Sequence, residues 1–450
     1  MKFHLIGIGG AGMSVVARLL QAEGHEVCGS DREDSAVVAQ LRALGIEVHI
    51  GHESANVGAD ATVVYSTAIK SDNPEIEIAR KRGQAIWHRS QALAFASGER
   101  DFIAVAGAHG KTSTSAMIAV GLEHLGADPS RAIGGHLADG KPGGYLGSGD
   151  ILVAEADESD GSFLNYQPRI AVVTNVEPDH LDHYGSPEKF EQAFVDFAQR
   201  IVPGGLLVCC ADDPGGRRLA QSARRAGIRV ATYGTQPYID DHCQVSISSA
   251  PEGLSSVIVS RGRTETEIDL LVPGHHMALN AVGAWIACCE LGFDPTAVGQ
   301  ALASFRGTGR RFELRGTAGG VRVIDDYAHH PTEVQATLRT ARSMTNGRIL
   351  VLFQPHLYSR TKNFASSFAS ALDLADEVIV TSVYAAREVE SDGVDGDAIV
   401  AHLPKAHFEP DMFRAAHQIA QLAQPGDVIL TMGAGNITSV GTDIIAELAS

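Results

Sequence analysis

Short apolar runs alternate with stretches of helical periodicity along almost the whole chain, a pattern typical of parallel sheets flanked by helices. The predicted strands cover residues 3–8, 27–30, 63–66, 102–106, 151–154, 170–174, 206–210, 321–324, 348–353, 377–381 and 428–431. Helices are predicted at 13–23, 112–125 and 277–291, and the stretch 244–272 shows the alternation of β-strands. The pattern therefore predicts an α/β protein with doubly wound sheets.

Two interruptions of this pattern divide the chain. A polar stretch lies at 97–101, and a loop with two glycines lies at 306–310. We therefore predict three domains, 1–99, 100–308 and 309–450, of which the first and last are Rossmann-like and the central one contains a mostly parallel sheet. The length of 450 residues agrees with several domains, because single cores rarely grow beyond about 300 residues.

The composition is that of a globular protein, since 44% of the residues are hydrophobic and no apolar stretch reaches the roughly 18 residues of a membrane span. The net charge of −18 disfavours attraction to nucleic acid or to an acidic membrane, so anion binding should depend on local cationic pockets. The six cysteines contain no C-x-x-C pair, which indicates neither a zinc site nor a secreted disulfide framework. We expect a cytoplasmic protein without nucleic-acid binding or membrane insertion.

A glycine-rich turn follows the first predicted strand. Gly7, Gly9 and Gly12 match the dinucleotide fingerprint, and Asp31 lies about 20 residues further on, where a ribose hydroxyl would be bound. Because a helix N-terminus attracts any pyrophosphate, a nicotinamide dinucleotide and a UDP-sugar are both compatible with this turn. A purely structural turn is a third interpretation.

A second turn, with the sequence GAHGKTS, begins at Gly107 and carries a lysine and a hydroxyl. It is a shortened phosphate loop, since Val105 occupies the position of the first glycine in the full motif. Placed between an apolar strand and a helix, Lys111 can reach terminal phosphates while Thr112 offers its hydroxyl to magnesium. This turn predicts a P-loop-type ATPase domain, although G-K-T triplets also occur by chance.

Acidic side chains follow the next two predicted strands. Glu155 ends the apolar run 151–154, where triphosphate-hydrolysing folds place a carboxylate beside the metal. A solvated acidic loop is an equally simple interpretation of Asp157, Glu158 and Asp160. The segment NVEPDHLDH, residues 175–183, follows the next strand and offers carboxylates and imidazoles that suit magnesium or manganese.

Seven segments of the chain, in order, read GIGGAGMS, AHGKTST, EADESDGSF, TNVEPDHLDHYGS, GTGRRFE, DDYAHHPTE and FQPHLYSRT. Together they resemble the Mur ligase family of ATP-dependent amide-forming enzymes in peptidoglycan precursor synthesis, and the resemblance covers essentially the whole chain. It implies a ligase that joins L-alanine to the lactyl carboxylate of UDP-N-acetylmuramate through an acyl phosphate, releasing ADP and phosphate. The implied co-substrate is ATP with Mg2+ or Mn2+, and a monomer or homodimer is expected.

The resemblance also implies roles for individual residues. The UDP-sugar is assigned to Gly9, Gly10, Ala11, Gly12, Met13, Ser14, Asp31 and Ser66. ATP is assigned to Gly107, Ala108, His109, Gly110, Lys111, Thr112, Ser113, Asn280, Arg311 and Asp326. Metal ions are assigned to Thr112, Glu155 and His180, and the incoming alanine to Tyr327, His329, His356 and Arg360. The implied catalytic residues are Lys111, Glu155, His180, Arg311, Asp326 and His329, and either His329 or Asp326 could take the proton of the amine.

Three residues depart from the pattern of the family. Ala108 replaces a usual threonine of the phosphate loop, Met277 replaces a frequent asparagine near adenine, and Leu357 replaces a frequent arginine beside the alanine site. Structural roles are also open for two assigned residues, because Asn280 could cap a helix and Tyr327 could belong to the core.

Three other functions fit parts of the sequence. A ligase of the same family that attaches a muropeptide would keep the first two domains, but FQPHLYSRT favours free alanine. A nicotinamide-dependent oxidoreductase would use Gly7 to Gly12 and Asp31 yet leave Lys111, Glu155 and His180 without a role. A nucleotide-binding regulatory protein is disfavoured by the full set of phosphate and metal residues.

Overall fold

The computed structural model describes residues 1–239, 241–249, 254–386, 388 and 393–450. The described chain forms two compact units. One contains Met1–Ile247, Val257–Asp269 and Leu279–Phe305, and the other contains Arg306–Ser450, Leu270–Ala278 and the described part of 248–256. Within the described ranges, no helix combines the length and the apolar content that a bilayer crossing requires.

The N-terminal part of the first unit is a five-stranded α/β layer. Its elements are β1 (Lys2–Ile6), α1 (Ala11–Ala22), β2 (Glu26–Asp31), α2 (Ala36–Ala43), β3 (Glu47–Ile50), β4 (Thr62–Tyr65), α3 (Pro74–Arg82), β5 (Ile86–His88) and α4 (Arg89–Ala96). The strands are all parallel in the order β3-β2-β1-β4-β5. This is a doubly wound order with its switch point between β1 and β4, and it confirms the Rossmann-like prediction.

A ten-stranded sheet forms the rest of the first unit's framework. Its elements are β6 (Asp101–Ala106), α5 (Lys111–His124), β7 (Ser130–His136), β8 (Pro142–Tyr145), β9 (Ile151–Glu155), β10 (Ile170–Val173), α6 (Leu181–Tyr184), α7 (Pro187–Ala198), β11 (Leu206–Cys210), α8 (Pro214–Arg225), β12 (Arg229–Gly234), β13 (His242–Ser249), β14 (Ser255–Arg261), β15 (Thr264–Leu270), α9 (His275–Glu290) and α10 (Pro295–Leu302). The strand order is β15-β14-β13-β12-β11-β10-β6-β9-β7-β8, parallel from β13 to β7. The phosphate-loop strand β6 is thus central, between β9 and β10.

The second unit contains a six-stranded sheet. Its elements are β16 (Glu313–Ala318), β17 (Val321–Asp326), α11 (Pro331–Met344), β18 (Ile349–Phe353), α12 (Tyr358–Leu372), β19 (Glu377–Val380), α13 (Asp397–Val400), β20 (Ala406–Phe408), α14 (Met412–Leu422), β21 (Val428–Met432) and α15 (Gly441–Leu448). The order is β16-β17-β21-β18-β19-β20, and only the β16–β17 pairing among the described ones is antiparallel. The second doubly wound sheet is therefore also confirmed.

Local sequence explains where these elements begin and end. The central strands are continuous apolar runs, such as ILVLF in β18, because helices cover both faces of a parallel sheet. Helices α3, α7, α8 and α10 each begin with proline after a polar N-cap residue whose side chain accepts a backbone amide. Strand β1 ends two residues before the predicted end, because Gly7 adopts a φ of 72° and the amides of Gly7 and Ile8 both donate to the carbonyl of Ser30.

Candidate active site

The loop between β6 and α5 is shaped by glycine. Gly107 and Gly110 have φ angles of 131° and 84°, which L side chains rarely adopt. The loop is held from the segment after β10, where Asn175 Oδ1 accepts the amide of His109 at 3.0 Å and Asn175 Nδ2 donates to its carbonyl at 2.9 Å. The backbone of this turn is therefore fixed through both the amide and the carbonyl of His109.

Lys111 is the first residue of α5, and its ammonium is bound inside the loop. Nζ donates to the carbonyls of Gly107 (2.7 Å) and Ala108 (3.3 Å) and to Glu158 Oε1 (2.8 Å). Burial lowers the pKa of Lys111, but the charges of Glu158 and other nearby acids raise that pKa overall, so the ammonium stays protonated. Thr112 and Ser113 follow in the first turn, whose amides have no partner inside the helix. Such a turn is suited to phosphate.

The acidic residues after β9 differ in environment. Glu155 ends the strand as predicted, and its Oε1 accepts the amide of Gly134 at 2.7 Å. The interpretation as a solvated loop is wrong for Glu158, which is only 1% exposed. Burial raises the pKa of Glu158 to about 7 despite the nearby Lys111. Sequence reasoning missed Glu158, because nothing in a run of four acids distinguishes the buried one.

Asn280, assigned to the nucleotide, lies near the phosphate loop, and His180, assigned to the metal, follows the adjacent strand β10. Asn280 lies within α9 rather than at its start, so the helix-cap interpretation is wrong. It is buried, and an added Cβ at Gly110 would lie 2.8 Å from its Oδ1. His180 follows β10 with a φ of 52°, and its Nε2 lies 3.6 Å from Asp179 Oδ2. The structure thus places Asn280 against the loop and His180 after the adjacent strand.

The first glycine turn uses its own early amides internally. The Gly9 amide donates to Asp31 Oδ2 at 2.8 Å, and the Gly10 amide donates to the carbonyl of Gly7 at 3.0 Å. The next amides, of residues 11 to 13, belong to the first turn of α1 and have no partner inside the helix. An anion at this turn would therefore meet the amides of Ala11, Gly12 and Met13.

The side chains assigned to the UDP-sugar are not all accessible. Met13 is 3% exposed and packs in the hydrophobic core, and Ser14 is buried. Ser66 directly follows β4, at the switch point of the sheet. Asp31 holds the turn in place by accepting the amide of Gly9. This structural role was not predicted, since Asp31 was expected to contact the ribose.

Arg89 is a cation at this turn that sequence reasoning missed. It begins α4 directly after β5, and a Cβ added to Gly12 would lie 3.2 Å from its Cζ. Burial raises the pKa of Asp157, but the charges of Lys111 and Arg89 contribute to lowering that pKa overall. The available signal was its position, because Arg89 directly follows a strand of the same sheet and residues there lie at the carboxyl edge.

In the second unit, Asp326 ends β17 and organises the segment before it. Its Oδ2 accepts the amide of Phe312 at 2.7 Å, and its Oδ1 accepts the amide of Ala328 at 2.9 Å and the hydroxyl of Thr337 at 3.2 Å. Burial raises the pKa of Asp326 to about 6, although Arg311 and these amides act in the opposite direction. The carboxylate of Asp326 thus already accepts three hydrogen bonds from the protein.

An aromatic cluster follows the carboxyl ends of β17, β18 and β19. The ring of Tyr327 lies 5.3 Å from that of His329, which lies 5.8 Å from His356, and His356 stacks on Tyr384 at 5.8 Å. Arg310 and Arg311 flank the Tyr327 ring at 4.8 and 4.9 Å. Tyr327 is only partly buried, so it is not a simple core residue. The structure therefore brings the predicted alanine residues Tyr327, His329 and His356 together.

His329 is a neutral imidazole in this cluster. Its Nδ1 lies 3.0 Å from the carbonyl of Tyr327 and therefore carries the proton. Burial lowers the pKa of His329 to about 3, and the charge of Arg360 acts in the same direction. Glu333, which sequence reasoning left without a role, accepts the amide of His329 at 3.0 Å and lies 3.8 Å from Arg311.

The strand β18 is followed by a strained residue. Leu357 has a φ of 69°, an uncommon angle for a branched side chain, and directly precedes α12. Arg360 lies in the first turn of α12 and is buried. The strained backbone therefore lies three residues before Arg360, at one of the three positions where we expected a departure from the family pattern.

Family sequence models match three parts of the chain. These are the Mur ligase family catalytic domain (residues 2–100), the Mur ligase middle domain (147–288) and the Mur ligase glutamate ligase domain (310–435). A protein of Kineococcus radiotolerans named UDP-N-acetylmuramate--L-alanine ligase is 50% identical over 100% of this chain and 96% of its own length. The chain belongs to the Mur ligase family.

Other members resemble this Mur ligase over nearly its full length. A Mycobacterium tuberculosis protein with the same name is 47% identical over 99% of this chain and 94% of its own. The crystal structure of UDP-N-acetylmuramate-alanine ligase from Thermotoga maritima matches with a TM-score of 0.78 and 32% identity, covering 99% of this chain and 98% of that one. A murein peptide ligase from Psychrobacter arcticus matches with a TM-score of 0.69 and 25% identity, covering 100% and 99%.

Proposed function

We propose that this Mur ligase joins L-alanine to the lactyl carboxylate of UDP-N-acetylmuramate, using ATP and releasing ADP and phosphate in peptidoglycan precursor synthesis. The observation that carries the proposal is the full-length identity of 47 to 50% to proteins named for this reaction. The phosphate loop, the acid after β9 and the cationic glycine turn support it, because the reaction needs one nucleotide as fuel and another as a handle on the sugar.

The chemistry activates a carboxylate. A lactyl carboxylate oxygen attacks the γ-phosphorus, the bond from that phosphorus to the β–γ bridging oxygen breaks, and ADP leaves with the bonding pair. The attack brings an anion to a polyanion, so positive charge must offset the repulsion. The proposed phosphate contacts are Gly107, His109, Gly110, Lys111, Thr112 and Ser113. Ala108 would contribute only its backbone. Asn280, Arg311 and Asp326 are the further proposed ATP residues.

Two divalent ions are assigned beside this loop. The hydroxyl of Thr112 and the carboxylate of Glu155 are the proposed donors to one ion, and Glu155 and the imidazole of His180 to the second, and these donor types suit Mg2+ and Mn2+. The amide of Gly134 donates to one oxygen of Glu155 and so fixes the orientation of this carboxylate. When bound, such an ion supplies positive charge against the negative charge that develops on the phosphates.

The UDP-sugar is assigned to the first glycine turn. Its diphosphate would accept the amides of residues 11 to 13 at the start of α1 and the guanidinium of Arg89, which supplies the local positive charge in a chain of net charge −18. Gly9 and Gly10 shape the turn, while Asp31 and Ser66 lie at the carboxyl ends of β2 and β4, where the ribose and the sugar would lie.

The amino acid is assigned to the cluster of Tyr327, His329, His356 and Arg360. Arg360 would bind the alanine carboxylate. The amine then attacks the acyl carbon, the carbon–oxygen bond to phosphate breaks, and phosphate leaves. Either His329 or Asp326 is proposed to take the proton of the amine: His329 Nε2 offers a lone pair but the pKa of His329 is about 3, whereas Asp326 has a pKa of about 6 but already accepts three protein donors.

The domain limits 1–99, 100–308 and 309–450 are part of this proposal. They are supported by the three separate sheets and by family matches that cover residues 2–100, 147–288 and 310–435. A monomer or homodimer acting in the cytoplasm on these small-molecule substrates, with no nucleic-acid partner, remains our prediction.

The test is ADP production by the purified protein with UDP-N-acetylmuramate and each common amino acid in turn. We expect ADP only when both the UDP-sugar and a small neutral amino acid are present, with L-alanine the fastest. A tripeptide that replaces alanine as the efficient acceptor would instead assign the chain to muropeptide attachment. A nicotinamide absorbance change or the absence of any ADP would refute the proposed reaction.

A further inference from the structure

In the phosphate loop, the Lys111 ammonium has an acceptor for each of its three hydrogens. An ammonium group has three hydrogens, and the Lys111 ammonium has three acceptors within reach, of which Glu158 Oε1 is the only charged one among the described contacts. An incoming phosphate must therefore replace one of these acceptors. Exchanging a carboxylate for a phosphate keeps the ammonium paired throughout, so Glu158 is the acceptor to be replaced.

Glu158 is held where this exchange can occur. Its carbonyl accepts the hydroxyl of Tyr184 and the amide of Gly161, the latter at 3.2 Å, so the backbone is anchored independently of Lys111. Its second carboxylate oxygen, Oε2, is buried and has no hydrogen-bond partner in the described part of the chain. A buried ion pair with an unsatisfied oxygen is a poor stabiliser of a fold, which points to a functional reason for it.

We infer that Glu158 is a positioning residue for ATP: it holds the Lys111 ammonium in the empty phosphate loop and sets the nucleotide affinity by competing with the terminal phosphates. This inference rests on the proposed ATP site at Lys111. Glu158 acts through Lys111, because the hydrogen bond between Lys111 and Glu158 must break before the ammonium can bind a phosphate. We therefore expect a nucleotide affinity weaker than that of a loop without the competitor.

The test is the affinity of the whole protein for a non-hydrolysable ATP analogue with Mg2+, measured by calorimetry. Glu158→Gln keeps the shape of the side chain and removes its charge, and a neutral acceptor holds an ammonium less strongly than a charged one. We expect the analogue to bind about tenfold more tightly to this variant, with the affinity for UDP-N-acetylmuramate unchanged. In turnover, the KM for ATP should fall while the KM for alanine stays constant.

Glu26→Gln is the matched control, because it removes the same charge from an exposed side chain of β2 whose salt bridge is with Lys2. Its analogue affinity should equal that of the unchanged protein. Glu158→Asp is the second variant in case Glu158→Gln does not fold, and its shorter side chain should also tighten binding. Equal or weaker analogue binding in the folded Glu158 variants would overturn the inference. Failure of the proposed function would instead appear as absence of substrate-dependent ADP formation in the unchanged protein.

Discussion

Asn280 lies directly against Gly110, so closely that a Cβ added to the glycine would lie 2.8 Å from Asn280 Oδ1. Gly110 ends the phosphate loop, whereas Asn280 lies in α9, 170 positions later in the sequence. This contact joins a helix from the end of the ten-stranded region to the turn that carries Lys111. Together with the φ of 84° at Gly110, this contact disfavours a side chain at the position before Lys111.

Gly110→Ala should weaken nucleotide binding, because the new methyl group displaces Asn280 and the backbone keeps a positive φ. We expect at least a tenfold loss of affinity for an ATP analogue, corresponding to about 1.4 kcal/mol, measured by calorimetry. The matched control is Gly126→Ala, since Gly126 has a φ of 79° with no atom near its added Cβ. That variant should lose stability but bind the analogue normally. Equal losses in both variants would show that contact with Asn280 is irrelevant.

Arg89→Ala should weaken binding of the UDP-sugar and spare ATP. A charge-assisted hydrogen bond contributes about 1.5 to 3 kcal/mol, so the KM for UDP-N-acetylmuramate should rise about tenfold to a hundredfold. Arg89→Lys should recover part of this loss. Arg100→Ala serves as control, because Arg100 is paired with Glu23 at 2.6 Å outside the turn. A selective rise in the KM for ATP would refute the assignment of Arg89.

Lys111→Ala should separate the two nucleotide sites. We expect turnover to fall by at least about a thousandfold, since the loop loses its cation for the transferred phosphoryl group. The dissociation constant for UDP-N-acetylmuramate, measured without ATP, should stay within about twofold. Lys141→Ala, which removes an exposed lysine paired with Glu123, is the control for charge. Joint loss of UDP-sugar binding and turnover in Lys111→Ala would mean that one site serves both nucleotides.

Asp326 should make stability depend on pH. Because burial raises its folded pKa to about 6 from 3.8, its contribution is fully present below pH 4 and lost as the pH rises through 6. Lowering the pH from 7.5 to 5 should therefore stabilise the unchanged protein by about 1 kcal/mol more than Asp326→Asn, in urea unfolding. The amide cannot titrate, so its lost hydrogen bonds affect both pH values alike. Parallel pH profiles would contradict a raised pKa at Asp326.

Apolar periodicity predicted eleven of the strands, because a strand buried on both faces, such as ILVLF in β18, is a continuous apolar run. It did not predict the strands β3, β5, β7, β8, β12, β16 and β20. The ends were less predictable, since they depend on turns such as the one where Gly7 and Ile8 both donate to Ser30. The sequence predicted parallel, doubly wound sheets but no strand order, and the positions of β9 and β7 beside β6 needed the structure.

The apolar run before Glu155 was sufficient to predict that this residue ends a strand, whereas Asp326, which ends β17, was assigned only from the family resemblance. Arg89 and Glu158 were missed because their importance depends on contacts with residues distant in sequence or on burial within an acidic run. Glu333 was missed because its contacts with His329 and Arg311 depend on the first turn of α11. Such contacts are set by the packing of strand ends and carry no local pattern.

The most direct test of the account follows the oxygen atoms of the lactyl carboxylate. UDP-N-acetylmuramate labelled with 18O in that carboxylate is incubated with the protein, ATP, Mg2+ and L-alanine, and the released phosphate is analysed by mass spectrometry. If a carboxylate oxygen attacks the γ-phosphorus, each phosphate released carries one 18O atom from the sugar. Unlabelled phosphate, or label in AMP, would contradict the central claim that the lysine loop uses ATP to activate the carboxylate of the UDP-sugar whose diphosphate the glycine turn binds.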